Sequence, residues 1–309
     1  MTDADWLADR FEAHRGHLRA VAYRMLGSVA EADDAVQEAW FRLARSEIEE
    51  VRDLGAWLTT VVARLCLDQL RTRTARREVE LDASVPDPII SSIDAIDPEQ
   101  SAVLADSVGL AMLVVLDRLA PAERLAFVLH DVFGLPFEDI APIVERSVVA
   151  TRKLASRARQ RVRGVDRDAA AVVPARASID RQRAVIAAFL AASRNGDLEG
   201  LVRILDPDVI VRADAGPAGS PAGRSQVIRG AEAAARSALA FRRLAGGAHE
   251  ALINGAPGYV VFDADRPYAI LGFTLRGGRI RELDILLDPA RLAALNLSAV
   301  TPTYHGPLS

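Results

Sequence analysis

Several things are scarce in this chain, and each scarcity excludes something. A single cysteine, Cys66, among 309 residues rules out an intramolecular disulfide and agrees with a reducing compartment. It lies in an apolar helical run, which suggests no thiol chemistry. Lysine is almost missing as well: Lys153 is the one lysine, and the remaining positive side chains are arginine, as a GC-rich coding sequence would produce. No apolar run approaches the length that spans a bilayer. The opening stretch MTDADWLADRFEAHR starts with acids and has no basic segment followed by an apolar run, so a cytoplasmic protein without membrane contact is expected. No metal-ligand spacing, internal repeat or long low-complexity tract is present. Neither a metal nor a cofactor is expected.

What is there is a soluble globular composition, 50% hydrophobic and 26% charged, long enough for two or three domains. The formal net charge of −4 hides local fields. Residues 1–80 have helical periodicity: LRAVAYRMLG and AVQEAWFRLA place apolar residues at three- and four-residue spacing, and AWLTTVVARLCLDQLRTRTARR is an apolar helix turning basic at its end. Residues 81–96, with two prolines, a third just beyond at Pro98, and several acids, predict an extended linker. Helical signal resumes over 97–165, and 166–178 is a second loose stretch. From 179 to 297 the pattern changes to one amphipathic helix followed by short β-rich runs, DVIVRAD, GYVVFDAD, PYAILGFTLR and RIRELDILLD, two of them joined by Gly277-Gly278 as in a tight hairpin. Residues 298–309 form a tail. Two all-α domains and an α+β domain are therefore expected.

Within 97–165, PAERLAFVLHDVF reads as a helix with proline in its first turn and FEDIAPIVE as a second, short one. RSVVATRKLASRARQRVR follows as a basic third helix with Ser147 as its N-cap. This is the pattern of a helix-turn-helix, whose second helix enters the DNA major groove. Thr151, Ala155, Ala158 and Val162 share a small-residue packing face. Arg152, Lys153, Ser156, Arg157 and Arg159 occupy the other side and can bond phosphates and base edges. A basic face is often merely solvated. This stretch, however, contains no acid of its own after Glu145.

These residues carry a resemblance. LAPAERLAFVLHDVFGLPFEDIAPIVERSVVATRKLASRARQRV resembles region 4 of the extracytoplasmic-function (ECF) sigma-70 family of RNA polymerase sigma factors. HLRAVAYRMLGSVAEADDAVQEAWFRL with GAWLTTVVARLCLDQLRTRTARRE resembles region 2. The third part, from FLAASRNGDLEGLVRILDPDVIVRAD to ILLDPARLAAL, is similar to the cone-shaped, SnoaL-like α+β domain fused to the sigma J-like subgroup. The resemblance implies a promoter-specificity factor whose partners are core RNA polymerase (β′ clamp and β flap) and promoter DNA. Regulation would come from contact of the C-terminal domain with the linker or the sigma domains, without a separate anti-sigma factor. VPDP, Val85, Pro86, Asp87 and Pro88, resembles the subgroup's Leu-Pro-Glu-Pro linker signature, and DAGPAG at 214–219 stands where the subgroup has Asp-Gly-Gly-Gly. Three departures matter. Ser84-Val85 replaces a Trp-Leu, removing an aromatic anchor. Arg64 replaces an asparagine of the downstream-reading helix. Glu145 stands at the turn where glycine would adopt a left-handed conformation cheaply, which implies strain or a slightly different turn.

The residue-level reading runs alongside. Asp33, Asp34, Gln37 and Glu38 lie within about a turn of one another on a helix whose Val36, Trp40 and Leu43 suit a core. A paired-carboxylate catalyst there would sit on an exposed face without a pocket, and the resemblance assigns the group to polymerase contact, so no catalytic residue is expected. Trp57 heads a helix that carries Arg64 and ends in Arg71, Arg73, Arg76 and Arg77. An aromatic plus an arginine track could hold a separated strand, although Trp57 also reads as a core tryptophan. In the C-terminal domain Asp214, His249, Asp263 and Asp284 are the ionisable candidates on or near strands, and Asp214, His249 and Asp284 are expected at a cavity or interface. A helix-turn-helix regulator with a ligand-sensing or catalytic C-terminal domain is the alternative.

Overall fold

Apolar residues spaced by three and four build three helices in the N-terminal part: α1 (Asp3–Leu26), α2 (Val29–Ala44) and α3 (Leu54–Arg76). A computed structural model describes residues 3–45, 53–76, 83–93, 109–163, 176–217, 220–298 and 300. Gly27, at φ 72°, ends α1, and Ser28 caps α2 by accepting the Glu31 N–H. The buried faces meet as the spacing predicts: Leu18, Val21 and Met25 of α1, Ala35, Val36 and Leu43 of α2, and Leu58, Val62 and Cys66 of α3 are all nearly inaccessible. Burial pushes the Cys66 thiol up to about 12, with Arg124 opposing the shift.

Four further helices follow: α4 (Leu110–Asp117), α5 (Pro121–Phe127) running into a wider turn at Val128–Val132, α6 (Phe137–Val144) and α7 (Val148–Arg163). Residues 1–79 and 112–166 form one compact unit. At its heart lies Arg124, 1% exposed, which donates to Asp117 at 3.1 Å and to the Arg24 carbonyl at 3.1 Å. Burial pulls its pKa down, while Asp117 works the other way. The Arg24 guanidinium lies 4.8 Å from the Phe133 ring centre, and His17 meets that ring edge-on. The α1–α3 helices and the helix-turn-helix thus share packing.

The second unit comprises residues 80–111 and 167–309. Its sheet has the order β1-β4-β5-β6-β7-β2-β3, from β1 (Ile90–Ser91), β2 (Leu205–Asp214), β3 (Gln226–Arg229), β4 (Ala248–Ile253), β5 (Ala256–Asp263), β6 (Arg266–Arg276) and β7 (Arg279–Leu286). β5 to β7 form the antiparallel meander anticipated from the sequence, β4, which the sequence does not mark, extends it, and Gly277 and Gly278, both at positive φ, turn the β6–β7 hairpin with Arg276 opposite Arg279. β2 joins parallel to β7. Helices α8 (Arg176–Asn195), α9 (Leu198–Ile204) and α10 (Ala231–Ala240) contribute with one sheet face to a core that contains Phe189, Leu201, Val211, Tyr259, Phe273 and Leu283. On the opposite face Val260, Phe262, Ile270 and Leu286 pack with Val85, Leu110 and Leu292. Leu292 belongs to the last helix, α11 (Pro289–Ala294). The linker segment 83–93 is therefore part of the C-terminal unit's second core. Arg77, residues 94–108 and 164–175, and the last nine residues lie outside the described residues.

Candidate functional site

The linker motif and the C-terminal domain meet in a hydrogen-bonded clasp. Pro86 and Pro88 have no N–H and hold the segment extended, so Val85, Asp87 and Ile89 supply the donors in this stretch. The Val85 N–H donates to Asp214 Oδ2 at 2.9 Å. Arg291 of α11 donates to the same carboxylate at 2.8 Å, to Asp87 Oδ1 at 2.6 Å and to the Val85 carbonyl at 2.5 Å. Further along, the Ile89 N–H donates to Asn254 Oδ1 at 2.9 Å and the Asn254 N–H to the Ile89 carbonyl at 2.8 Å. Ile90 and Ser91 then pair antiparallel with Ile253 and Leu252 as β1. Val85 is 1% exposed. Backbone pairing and this valine hold the linker where Ser84 supplies no aromatic ring.

The geometry explains why the DAGPAG stretch begins as it does. Asp214 ends β2 and its second oxygen accepts from the Gly216 N–H at 3.1 Å. Gly216 has φ 84°, and a Cβ there would lie 2.4 Å from the Asp288 carboxylate. Asp288 caps α11 by accepting from the Ala290 N–H at 2.9 Å. A glycine at this point lets the cap of α11, and with it Arg291, sit against Asp214.

Strand alternation puts Asp284 and His249 on the linker-bearing face as well, away from the helix-covered core. Asp284, 2% exposed, and Glu282 both accept from Arg212, at 2.9 and 2.7 Å. Burial opposes the Arg212 charge, but the two carboxylates more than restore it, and its pKa is raised. His249 packs edge-on against Phe262, and Asp263 is exposed at the end of β5. Arg291, Asn254, Arg212 and Glu282 were not singled out by the sequence. Arg212, Glu282 and Arg291 lie within DVIVRAD, RIRELDILLD and ILLDPARLAAL, which mark the strands and helix α11 and not a site.

In the helix-turn-helix, Thr151, Ala155, Ala158 and Val162 are buried and Arg152, Lys153, Ser156 and Arg157 are exposed. Glu145 ends α6 at φ 56° and ψ 46°, so the turn keeps its left-handed form and carries the strain; Ser147 caps α7 by accepting from the Ala150 N–H at 3.2 Å. The acid-free basic stretch does find acids, from helices before it. Arg152 pairs with Glu138 at 3.1 Å, Arg159 with Asp131 at 2.6 Å, and Arg161 with Glu123. Arg152 also lies over the Phe137 ring.

On α2, Asp33, Asp34, Gln37 and Glu38 are exposed as expected. Arg19 holds Asp33 through two bonds, at 2.6 and 3.2 Å, and Arg42 pairs with Glu38 at 3.1 Å. Gln37 shares a groove with Arg15, Arg19, Val36, Trp40 and Phe41. Phe41 is 43% exposed and was not anticipated. Trp40, expected in the core, packs on Phe11 and also lines this groove. On α3, Trp57 is half-buried, Arg64 is exposed, and Arg71 stands 3.5 Å from Asp68. Arg73 departs from the expected DNA track: it turns back to donate to the Leu26 carbonyl at 3.0 Å and pairs with Glu31. Arg76 ends the helix.

Comparison with known proteins agrees with this architecture. The family model for sigma-70 region 2 matches residues 10–76 and that for sigma-70 region 4 matches residues 110–162. The probable ECF RNA polymerase sigma factor SigI of Mycobacterium tuberculosis is 34% identical over 301 residues, 96% of this chain and 98% of SigI. The ECF RNA polymerase sigma factor SigJ of the same organism is 39% identical over 314 residues, 96% of this chain and 97% of SigJ. The crystal structure of SigJ superposes with a TM-score of 0.72 at 35% identity, covering 94% of this chain and 99% of that one. With two helical sigma domains and a SnoaL-like α+β domain in one chain, the protein belongs to the ECF family of RNA polymerase sigma factors.

Proposed function

We propose that this chain binds core RNA polymerase and directs it to a defined class of promoters, and that its C-terminal domain sets how readily it does so by holding the interdomain linker. Residues 1–80 act as region 2, with Asp33, Asp34, Gln37 and Glu38 facing the β′ clamp and Trp57, Arg64 and Arg71 facing the downstream element. Residues 97–165 act as region 4, which meets the β flap and the upstream element. The domain spanning 179–297 acts by binding the chain's own linker rather than by catalysis, in place of a separate anti-sigma factor. The protein works in the cytoplasm with its polymerase; among the described residues no helix is long and apolar enough to cross a membrane.

The observation that carries this reading is the clasp of Arg291 and Asp214 on Val85 and Asp87. A two-domain promoter reader needs freedom in its linker to span two elements, so a clasp on that linker limits when spanning occurs. Transcription by core polymerase with the full chain, wild type against Arg291→Gln, tests it. Promoter-dependent transcripts whose yield shifts in the variant, at unchanged core affinity, are expected. A chain that binds duplex DNA alone and never core polymerase would instead be a conventional helix-turn-helix regulator. In the wild-type chain, Gln37→Ala with Glu38→Ala should weaken core binding while moving stability by less than about 0.5 kcal/mol.

A further inference from the structure

The outward face of α7 has one apolar member. Val149, in the first turn, is 63% exposed. A valine so placed contributes little to the core and is a weaker helix former than alanine or arginine. A lone exposed aliphatic side chain is ordinary on a protein surface; its position on this helix sets it apart. Val149 precedes Lys153 by four residues and Ser156 by seven, so the three stand in one row, with Arg157 beside them. That row lies opposite the buried Thr151, Ala155, Ala158 and Val162. Arg152 and Arg159 flank it and are engaged by Glu138 and Asp131.

The N-terminal residues of a second helix-turn-helix helix are those that reach base edges. On the major-groove edges of the four bases, the thymine 5-methyl is the group suited to an aliphatic partner; the nitrogen and oxygen atoms displayed there are hydrogen-bond donors or acceptors. We propose that Val149 is a sequence-reading residue that packs on the 5-methyl group of a thymine in the upstream promoter element. Lys153, Ser156 and Arg157 supply the polar contacts behind it. This rests on the sigma-factor function proposed above.

The test uses holoenzyme assembled from core polymerase and the full chain. It selects from a duplex library randomised across both promoter elements. The enriched duplex is remade with uracil in place of each upstream thymine in turn, which removes only the methyl group. At one thymine, uracil should weaken wild-type binding about fourfold, the size expected for burying one methyl group, and should leave binding by Val149→Ala unchanged. Because Val149 is exposed, the variant should keep the melting temperature of the wild type. Equal losses in both proteins at every thymine, or an enriched upstream element without thymine, would overturn the role of Val149 and leave the sigma function standing. Failure to enrich any upstream sequence would overturn the DNA-reading function itself, and the role of Val149 with it.

Discussion

Arg291 reaches the Val85 carbonyl across 206 positions of sequence while holding Asp214 at 2.8 Å. One guanidinium therefore supplies a positive charge to a buried carboxylate that otherwise accepts from backbone N–H groups and the Ser225 hydroxyl, and fixes the backbone at the start of the VPDP motif. Arg291→Gln removes charge-assisted bonds whose typical worth is about 1.5–3 kcal/mol. The Val85 amide should exchange with solvent roughly ten to a hundred times faster, while amides in the β5–β6 ladder stay protected. Hydrogen exchange read by mass spectrometry separates the two. Equal loosening of linker and sheet would make Arg291 a general stabiliser instead of a clasp.

Arg64 and Arg73 lie on the same helix and should behave oppositely. Arg73 bonds the Leu26 carbonyl and Glu31, so Arg73→Ala should lower thermal stability by about 1–2 kcal/mol. Arg64 is exposed, so Arg64→Ala should leave the melting temperature alone and change the opening of the downstream element. Permanganate footprinting of unpaired thymines reports the latter. A melting shift from Arg64→Ala, with no change in opening, would place that side chain in the fold rather than at the DNA.

Glu145 adopts φ 56° and ψ 46°, a conformation costing an L-residue about 1–2 kcal/mol. Glycine avoids that cost but gives back part of it through a more flexible unfolded chain, about 0.5–1 kcal/mol. Glu145→Gly should therefore stabilise the protein by roughly 0.5–1 kcal/mol in denaturant titrations. Destabilisation would mean that the glutamate side chain makes an offsetting contribution.

The Cys66 thiol is raised from its ordinary value of 9.0 to about 12 by burial. Between those values the unfolded chain gives up a proton that the folded chain keeps. The stability from this group is full below pH 9 and declines as the pH rises toward 12, by up to about 1.4 kcal/mol per pH unit. Cys66→Ala should flatten the alkaline side of the stability curve. Native protein at pH 8 should resist alkylation and react once unfolded, and rapid labelling of the folded chain would contradict the burial.

Helix periodicity, the Gly277-Gly278 hairpin and the capping serine at 147 are local patterns, and they are visible in the sequence because each depends on neighbours within a few residues. The clasp is not local. Asn254 meets Ile89 across 165 positions, and β1 is two residues long, too short to show alternation. β4, with the sequence AHEALI, mixes helix and strand formers, and its strand character comes from pairing with β5 and β1. The same limit explains the basic helix: Glu138 and Asp131 precede it by 14 and 28 positions from their partners, beyond the reach of any reading confined to α7. The departures at Ser84 and Glu145 were visible as wrong residue types, but how the fold accommodates them required coordinates.

β1 also closes the edge of a sheet. Its pairing occupies backbone groups of Leu252 and Ile253 at the free side of β4, and an uncovered strand edge is a template for other strands. If, as proposed, promoter binding releases the linker, the backbone groups of Leu252 and Ile253 that β1 now occupies would form an open border on the C-terminal domain, one that a second molecule's identical linker could pair with. Under that proposal the freedom of the linker carries a concentration dependence, because crowding released chains together should favour exchange of linkers between them.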